Sequence, residues 1–272
     1  MPFVEANQKK GYYEVHGDHP NVLVLLNGIM MSSASWQPFV EMLKKHVTVV
    51  LVDFFDQGKS DYMDCEYTQE TQVELVQSLL EKLDLKHVTL LGISYGGEIA
   101  MKVARRHQGR IDRLILANTT AYTNPQLRAI GDAWINAAKT YDGRQFFKAT
   151  IPPIYSNHFY ESRLDWLGAR EDLFVKLFDK HWYDGFIRLV ISAENHDDRT
   201  KLSLIKVPTL IIGSDEDMIT PIGCQKALLN EIDHAKMVII AGCGHASMYE
   251  KPVEFFAAVL GCIFVSEETF TI

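Results

Sequence analysis

Residues suited to acyl-transfer chemistry occur at three separated places in this 272-residue chain. Ser94 sits in Gly92-Ile93-Ser94-Tyr95-Gly96, between the apolar run His87–Leu91 and a segment with helical spacing. The flanking glycines allow a backbone turn too sharp for larger residues. A serine on such a strand-to-helix turn projects from the carboxyl end of its strand, where open α/β sheets place their sites. A glycine-rich turn with an incidental serine is the plain alternative, and the strand–turn–helix context weighs against it. A serine hydroxyl needs a base, and the base needs a group to orient it. Among ten histidines, only His245 combines a glycine-flanked turn, Ala241-Gly242-Cys243-Gly244-His245, with a strand end. His16, His19, His46, His107 and His234 fall near a hairpin or helix ends, while His158, His181 and His196 lie mid-chain and could line a pocket. For the orienting acid, the loop Gly213–Pro221 offers Asp215, Glu216 and Asp217.

The elements that must position these groups follow from periodicity. Strands are expected at Tyr12–His16, Val22–Leu26, Val47–Phe54, His87–Leu91, Arg113–Ala117, Val207–Ile212 and Met237–Ala241. Helices are expected at Ala34–His46, Thr68–Leu83, Gly96–His107, Pro221–Ile232 and Pro252–Phe264. Continuous rather than alternating apolar runs mark strands buried on both faces, so the fold class is α/β, a mostly parallel sheet flanked by helices. From about 122 to 200 no strand pattern appears, aromatics abound, and pieces such as Glu171–Lys180 read as helix. This gives an α/β core, residues 1–121 and 201–272, interrupted by a helical insertion, 122–200.

Composition narrows the function classes. A net charge of −8 argues against nucleic acid as a partner. No apolar stretch reaches membrane-spanning length. The N-terminal MPFVEANQKKGYYEVHG lacks the layout of a signal peptide, and the four cysteines lack metal-ligand spacing. The expectation is a cytoplasmic protein with reduced thiols and no metal or organic cofactor. The aromatic insertion offers a surface on which a homodimer could form.

These motifs together resemble the α/β-hydrolase superfamily, in its compact esterase-like branch. The match runs across the core from MPFVEANQKKGYYEVHG to GCGHASMYEKPVEFF and is weakest in the insertion, which the resemblance makes a cap. The family's acid motif, aligned on Pro208-Thr209-Leu210 and Pro221, places the acid on Asp217, and the order Ser94, Asp217, His245 is the family's order. Two stretches depart from the pattern. Asn27-Gly28-Ile29-Met30 stands where His-Gly is usual, and Asp53-Phe54-Phe55-Asp56-Gln57-Gly58-Lys59-Ser60 replaces the arginine and first glycine of the corresponding loop.

The resemblance implies a Ser94–His245–Asp217 triad, with an oxyanion held by the backbone N–H groups of Ile29 and Tyr95. Serine at the elbow argues against the haloalkane dehalogenases and epoxide hydrolases, which use aspartate there. The favoured reading is hydrolysis of a small, largely apolar carboxylic ester or thioester. Other acyl chemistry on the same triad (lactonase, C–C bond hydrolase, acyltransferase or perhydrolase) and a non-enzymatic small-molecule sensor are the alternatives. Met30, Met31, Trp134, Trp166 and Trp182 are expected to line an apolar pocket for an uncharged, partly hydrophobic group.

Overall fold

Apolar runs too continuous for a one-faced strand become the interior of a sheet in the computed structural model, which describes residues 2–265. Strands β1 (Phe3–Ala6), β2 (Lys9–His16), β3 (Val22–Leu26), β4 (Thr48–Val52), β5 (Val88–Ile93), β6 (Ile111–Ala117), β7 (Thr209–Ser214) and β8 (Lys236–Ile240) form one sheet. Its order is β1-β2-β4-β3-β5-β6-β7-β8. β1 and β2 pair antiparallel, as do β2 and β4, and the remaining pairings are parallel. Every residue of β4 and β5 is buried, as strands covered on both faces require.

Three α-helices precede the insertion: α1 (Ser33–Leu43), α2 (Glu70–Lys82) and α3 (Tyr95–Arg106). The insertion is α4 (Pro125–Ala138), α5 (Gly143–Thr150), α6 (Asn157–Ser162), α7 (Leu164–Leu177) and α8 (Lys180–Ala193), all between β6 and β7. α9 (Ile222–Glu231), α10 (Ser247–Glu250) and α11 (Pro252–Phe264) follow β7. Successive strand residues point to opposite faces. Accordingly Val24 and Leu26 pack with Val76 of α2 and Ile99 of α3, while Leu23 and Leu25 pack with Trp36 of α1 and Phe255 of α11. The insertion has a core of its own around Trp134, Phe146, Tyr183 and Phe186.

The expected elements are present with boundaries shifted by a few residues, and two local readings change. The N-terminal strand starts at Lys9 and pairs with an unforeseen β1 through Asn7 and Gln8, both at positive φ. This is the left-handed pair that tight hairpin turns need. The helical stretch Glu171–Lys180 is cut in two, because the Asp179 side chain accepts from the Trp182 N–H at 2.9 Å and starts α8. Among the described residues no helix is long and apolar enough to cross a membrane.

Candidate active site

β5 ends at Ile93 and α3 begins at Tyr95, so Ser94 alone makes the turn, with φ 54° and ψ −120°. Such a conformation is costly for a residue with a side chain and persists only where its surroundings enforce it. Here the Ser94 N–H donates to Ala117 O at 2.9 Å, and Thr119 Oγ1 donates to Ser94 O at 2.7 Å. The glycines are needed for close approach: a Cβ at 92 would collide with the backbone of Gly96, and one at 96 with the Leu26 carbonyl.

His245 follows β8, and its N–H donates to the Ile154 carbonyl of the insertion at 2.8 Å. Its Nε2 lies 2.9 Å from Ser94 Oγ, and its Nδ1 lies 2.8 Å from Asp217 Oδ2. Of the three acids in the loop after β7, Asp215 and Glu216 are exposed and Asp217 is buried. Asp217 Oδ1 accepts from the N–H groups of Ile219 (2.9 Å) and Thr220 (2.8 Å). Oδ2 accepts from Asn118 Nδ2 (3.0 Å) and Thr220 Oγ1 (2.9 Å) as well as from His245. Burial pushes this carboxyl up, but the charge and hydrogen bond of His245, with Asn118 and the Thr220 N–H, outweigh it and hold it below the ordinary carboxylate range. An ionised acceptor there keeps the proton on Nδ1 and leaves a lone pair on Nε2 facing the Ser94 hydroxyl.

Tyr95 directly follows Ser94, Gly28 next to Ile29 lies against the Ser94 side chain, and among the described residues neither the Ile29 nor the Tyr95 backbone N–H has an acceptor. The loop carrying Ile29 is clamped by Gln57, whose Nε2 donates to Gly28 O (2.8 Å) and Ile29 O (3.1 Å). Asn27 orients that amide: its Nδ2 donates to Gln57 Oε1 and its Oδ1 accepts from Trp36 Nε1 at 2.8 Å. Asp53 ties the same region together, accepting from the N–H groups of Ser33 (2.5 Å) and Lys59 (2.9 Å). Gly58, at φ +55°, leaves room for that carboxylate. Asp56, where the loop departs from the usual pattern, is gripped by Arg188 of α8 through two bonds of 2.6 and 3.1 Å.

Above Ser94 and His245 opens a cavity of about 680 Å³. Met30, Met31, Trp134 and Trp182 line it, with Phe174, Phe178 and Phe186 of the insertion. Trp166 does not line the cavity. It stands edge-on to Tyr155 and Phe159, and its face is covered by the Arg170 guanidinium at 4.4 Å. None of the three mid-chain histidines lines it either: His181 packs on Tyr62, and buried His196 contacts Thr120 O.

Sequence reasoning missed Asn118, Thr220 and Gln57. Asn118 carried a signal: it directly follows an apolar strand and sits at φ 45°, a conformation asparagine tolerates better than most residues. Thr220 and Gln57 act through polar contacts that no periodicity marks.

Comparison with known proteins bears on this arrangement. A family model described as alpha/beta hydrolase fold matches residues 21–252. The crystal structure of MGS-M2, an alpha/beta hydrolase enzyme from a Medee basin deep-sea metagenome library, superposes with a TM-score of 0.95 at 43% identity, covering 99% of this chain and 100% of that one. The enol-lactonase of Burkholderia xenovorans LB400 superposes with a TM-score of 0.86 at 25% identity, covering 97% and 100%. The AB hydrolase superfamily protein YisY of Bacillus subtilis (strain 168) is 28% identical over 240 residues, 86% of this chain and 88% of that protein.

Proposed function

Because the chain belongs to the α/β-hydrolase family, we propose that it is a serine hydrolase that cleaves a small, largely apolar carboxylic ester or thioester through an acyl-enzyme. One observation carries this reading: Asp217, His245 and Ser94 form a continuous hydrogen-bonded relay at the floor of an apolar cavity. Ser94 Oγ attacks the carbonyl carbon while His245 Nε2 takes its proton. Asp217 holds the Nδ1–H and stabilises the imidazolium. The N–H groups of Tyr95 and Ile29 receive the developing oxyanion, each such donor lowering the barrier by roughly 3–4 kcal/mol in related enzymes. His245 then protonates the leaving alkoxide or thiolate, and the same base activates water against the acyl-enzyme. Residues 122–200 act as a cap, supplying the aromatic roof and, through Ile154 O, an anchor for the His245 backbone.

The same steps open a cyclic ester, and the enol-lactonase relative makes a lactone the second substrate class to try. The test is a fluorophosphonate probe together with p-nitrophenyl esters from acetate to palmitate and simple lactones. Ser94 should label, and kcat/KM for the neutral acyl series should rise severalfold per methylene, at roughly 0.8 kcal/mol each, until the cavity is filled. Labelling without turnover of any ester or lactone would replace the enzyme reading by a small-molecule sensor, and a flat chain-length profile would remove the apolar acyl site.

A further inference from the structure

Among the described residues the cavity wall is mostly apolar, and one half-buried charge on it lacks a partner. Two arginines line it, Arg128 and Arg170. Arg128 is neutralised by Glu194, at 2.6 Å. Arg170, on α7, is half-buried, and among the described residues no carboxylate lies within 4.0 Å of it and none of its N–H groups finds an acceptor. Its guanidinium is nonetheless held in place. It lies 4.4 Å from the ring centroid of Trp166, one helical turn earlier, and 5.2 Å from that of Tyr249. Both rings are fixed: Trp166 stands edge-on to Tyr155 and Phe159, and the Tyr249 hydroxyl donates to Ser35 O at 2.9 Å. Tyr249 also lines the cavity, four residues beyond His245, so Arg170 belongs to the same wall as the base.

Contact with aromatic rings gives a guanidinium no hydrogen-bond acceptor, so the N–H edge of Arg170 keeps its donors. That edge matches a carboxylate bidentately, and the match is strongest where water is partly excluded. The acids lining the cavity do not supply the partner. Asp56 is taken by Arg188, Glu98 by Gln69, Glu194 by Arg128, and Asp132 and Asp179 are exposed, the latter capping α8. A single guanidinium near exposed acids suits a monoanion better than a phosphate dianion.

We propose that Arg170 binds a carboxylate carried by the substrate, so that the preferred substrate is an ester, thioester or lactone with an apolar body and one anionic end. This rests on the serine-hydrolase reading and refines the expectation of an uncharged ligand. The test compares mono-p-nitrophenyl glutarate with its neutral isostere, p-nitrophenyl 5-methylhexanoate, and a second pair carrying the carboxylate in the leaving group. Each pair is assayed in the wild type, Arg170→Met and Arg170→Lys. In one pair the charged-to-neutral ratio of kcat/KM should fall about ten- to hundredfold in Arg170→Met, mainly through KM, and less in Arg170→Lys. The ratio cancels any loss of packing or stability common to both esters. Calorimetric binding of glutarate monobutylamide, which is monoanionic and inert, needs no turnover. Binding by the wild type that disappears in Arg170→Met supports the anion site even if no ester is cleaved. Turnover of neutral esters with unchanged ratios in both pairs overturns the anion site and leaves the serine-hydrolase reading standing.

Discussion

Asp217→Asn tests the relay most sharply, because the surroundings dictate how an amide must sit. Oδ1 of Asp217 faces two backbone N–H groups, at 2.8 and 2.9 Å, which cannot rotate away. An asparagine that turned its NH2 toward them would leave both donors unsatisfied, at about 1–3 kcal/mol each. The amide oxygen therefore takes the Oδ1 place, and the NH2 takes the Oδ2 place against His245 Nδ1, stranding one Asn118 Nδ2–H instead of two backbone donors. Asn118 resists flipping, since its Oδ1 accepts from Ser247 Oγ at 2.6 Å and its Nδ2 also donates to Ser214 Oγ at 3.0 Å. His245 must then accept at Nδ1 and carry its proton on Nε2, pointing at Ser94 Oγ, 2.9 Å away. A ring in that tautomer cannot take the serine proton. By analogy with other Ser–His–Asp hydrolases the loss in kcat should be about ten-thousandfold, or about 5.5 kcal/mol of barrier. The assay is kcat on a p-nitrophenyl ester at pH 7, with the fluorophosphonate labelling rate as a second readout and circular dichroism to verify the fold. Asp215→Asn and Glu216→Gln, at exposed positions of the same loop, should stay within about twofold of wild type. An Asp217→Asn protein that folds and keeps more than a hundredth of wild-type kcat, or equal losses in all three variants, refutes the tautomer argument.

Other expectations follow from the same geometry. Ser94→Ala and His245→Ala should each lower kcat by about a million-fold, and the double variant should be little worse, because residues acting as one unit are not additive; a fully active His245→Ala would move the base elsewhere. Glu98 is fully buried, and burial raises its carboxyl to about 8 despite the Gln69 bond and the charge of Lys102. Between pH 4.5 and about 8 the folded chain thus holds a proton that the unfolded chain has released, so stability falls as pH rises through that window, by up to about 1.4 kcal/mol per unit. Glu98→Gln keeps the acceptor for Gln69 and should match wild type near pH 4.5 but melt at higher temperature at pH 8; a pH-independent difference in Tm would contradict a proton held at Glu98. Arg188→Met strands the fully buried Asp56 carboxylate without its counter-charge and should cost about 3–5 kcal/mol in urea unfolding. A cost below about 1 kcal/mol would mean that the ion pair contributes little to seating α8.

What could be read from the sequence, and what could not, divides along the range of the interactions. Val22–Leu26 and Pro252–Phe264 coincide with β3 and α11 because burial period and caps are local properties, carried by neighbours in the chain. Ser94 was legible for the same reason, since the glycines that its turn requires lie within two residues of it. The acid was ambiguous among three neighbours until motif spacing singled out Asp217, and the physical reason for the choice lies about a hundred residues away, in Asn118 at the end of β6. Trp166 shows the opposite failure. A tryptophan in an aromatic-rich insertion reads as pocket lining, yet its face is spent on Arg170, and only the fold brings Tyr249 against the same guanidinium. Asp56 and Arg188, 132 residues apart, form an ion pair that neither local stretch announces. Periodicity reports which face of an element is buried, not which polar group on a distant element will meet it. The candidate nucleophile could therefore be read before the residues around it, because Ser94 is set by one turn and the cavity above it by the docking of the insertion on the core.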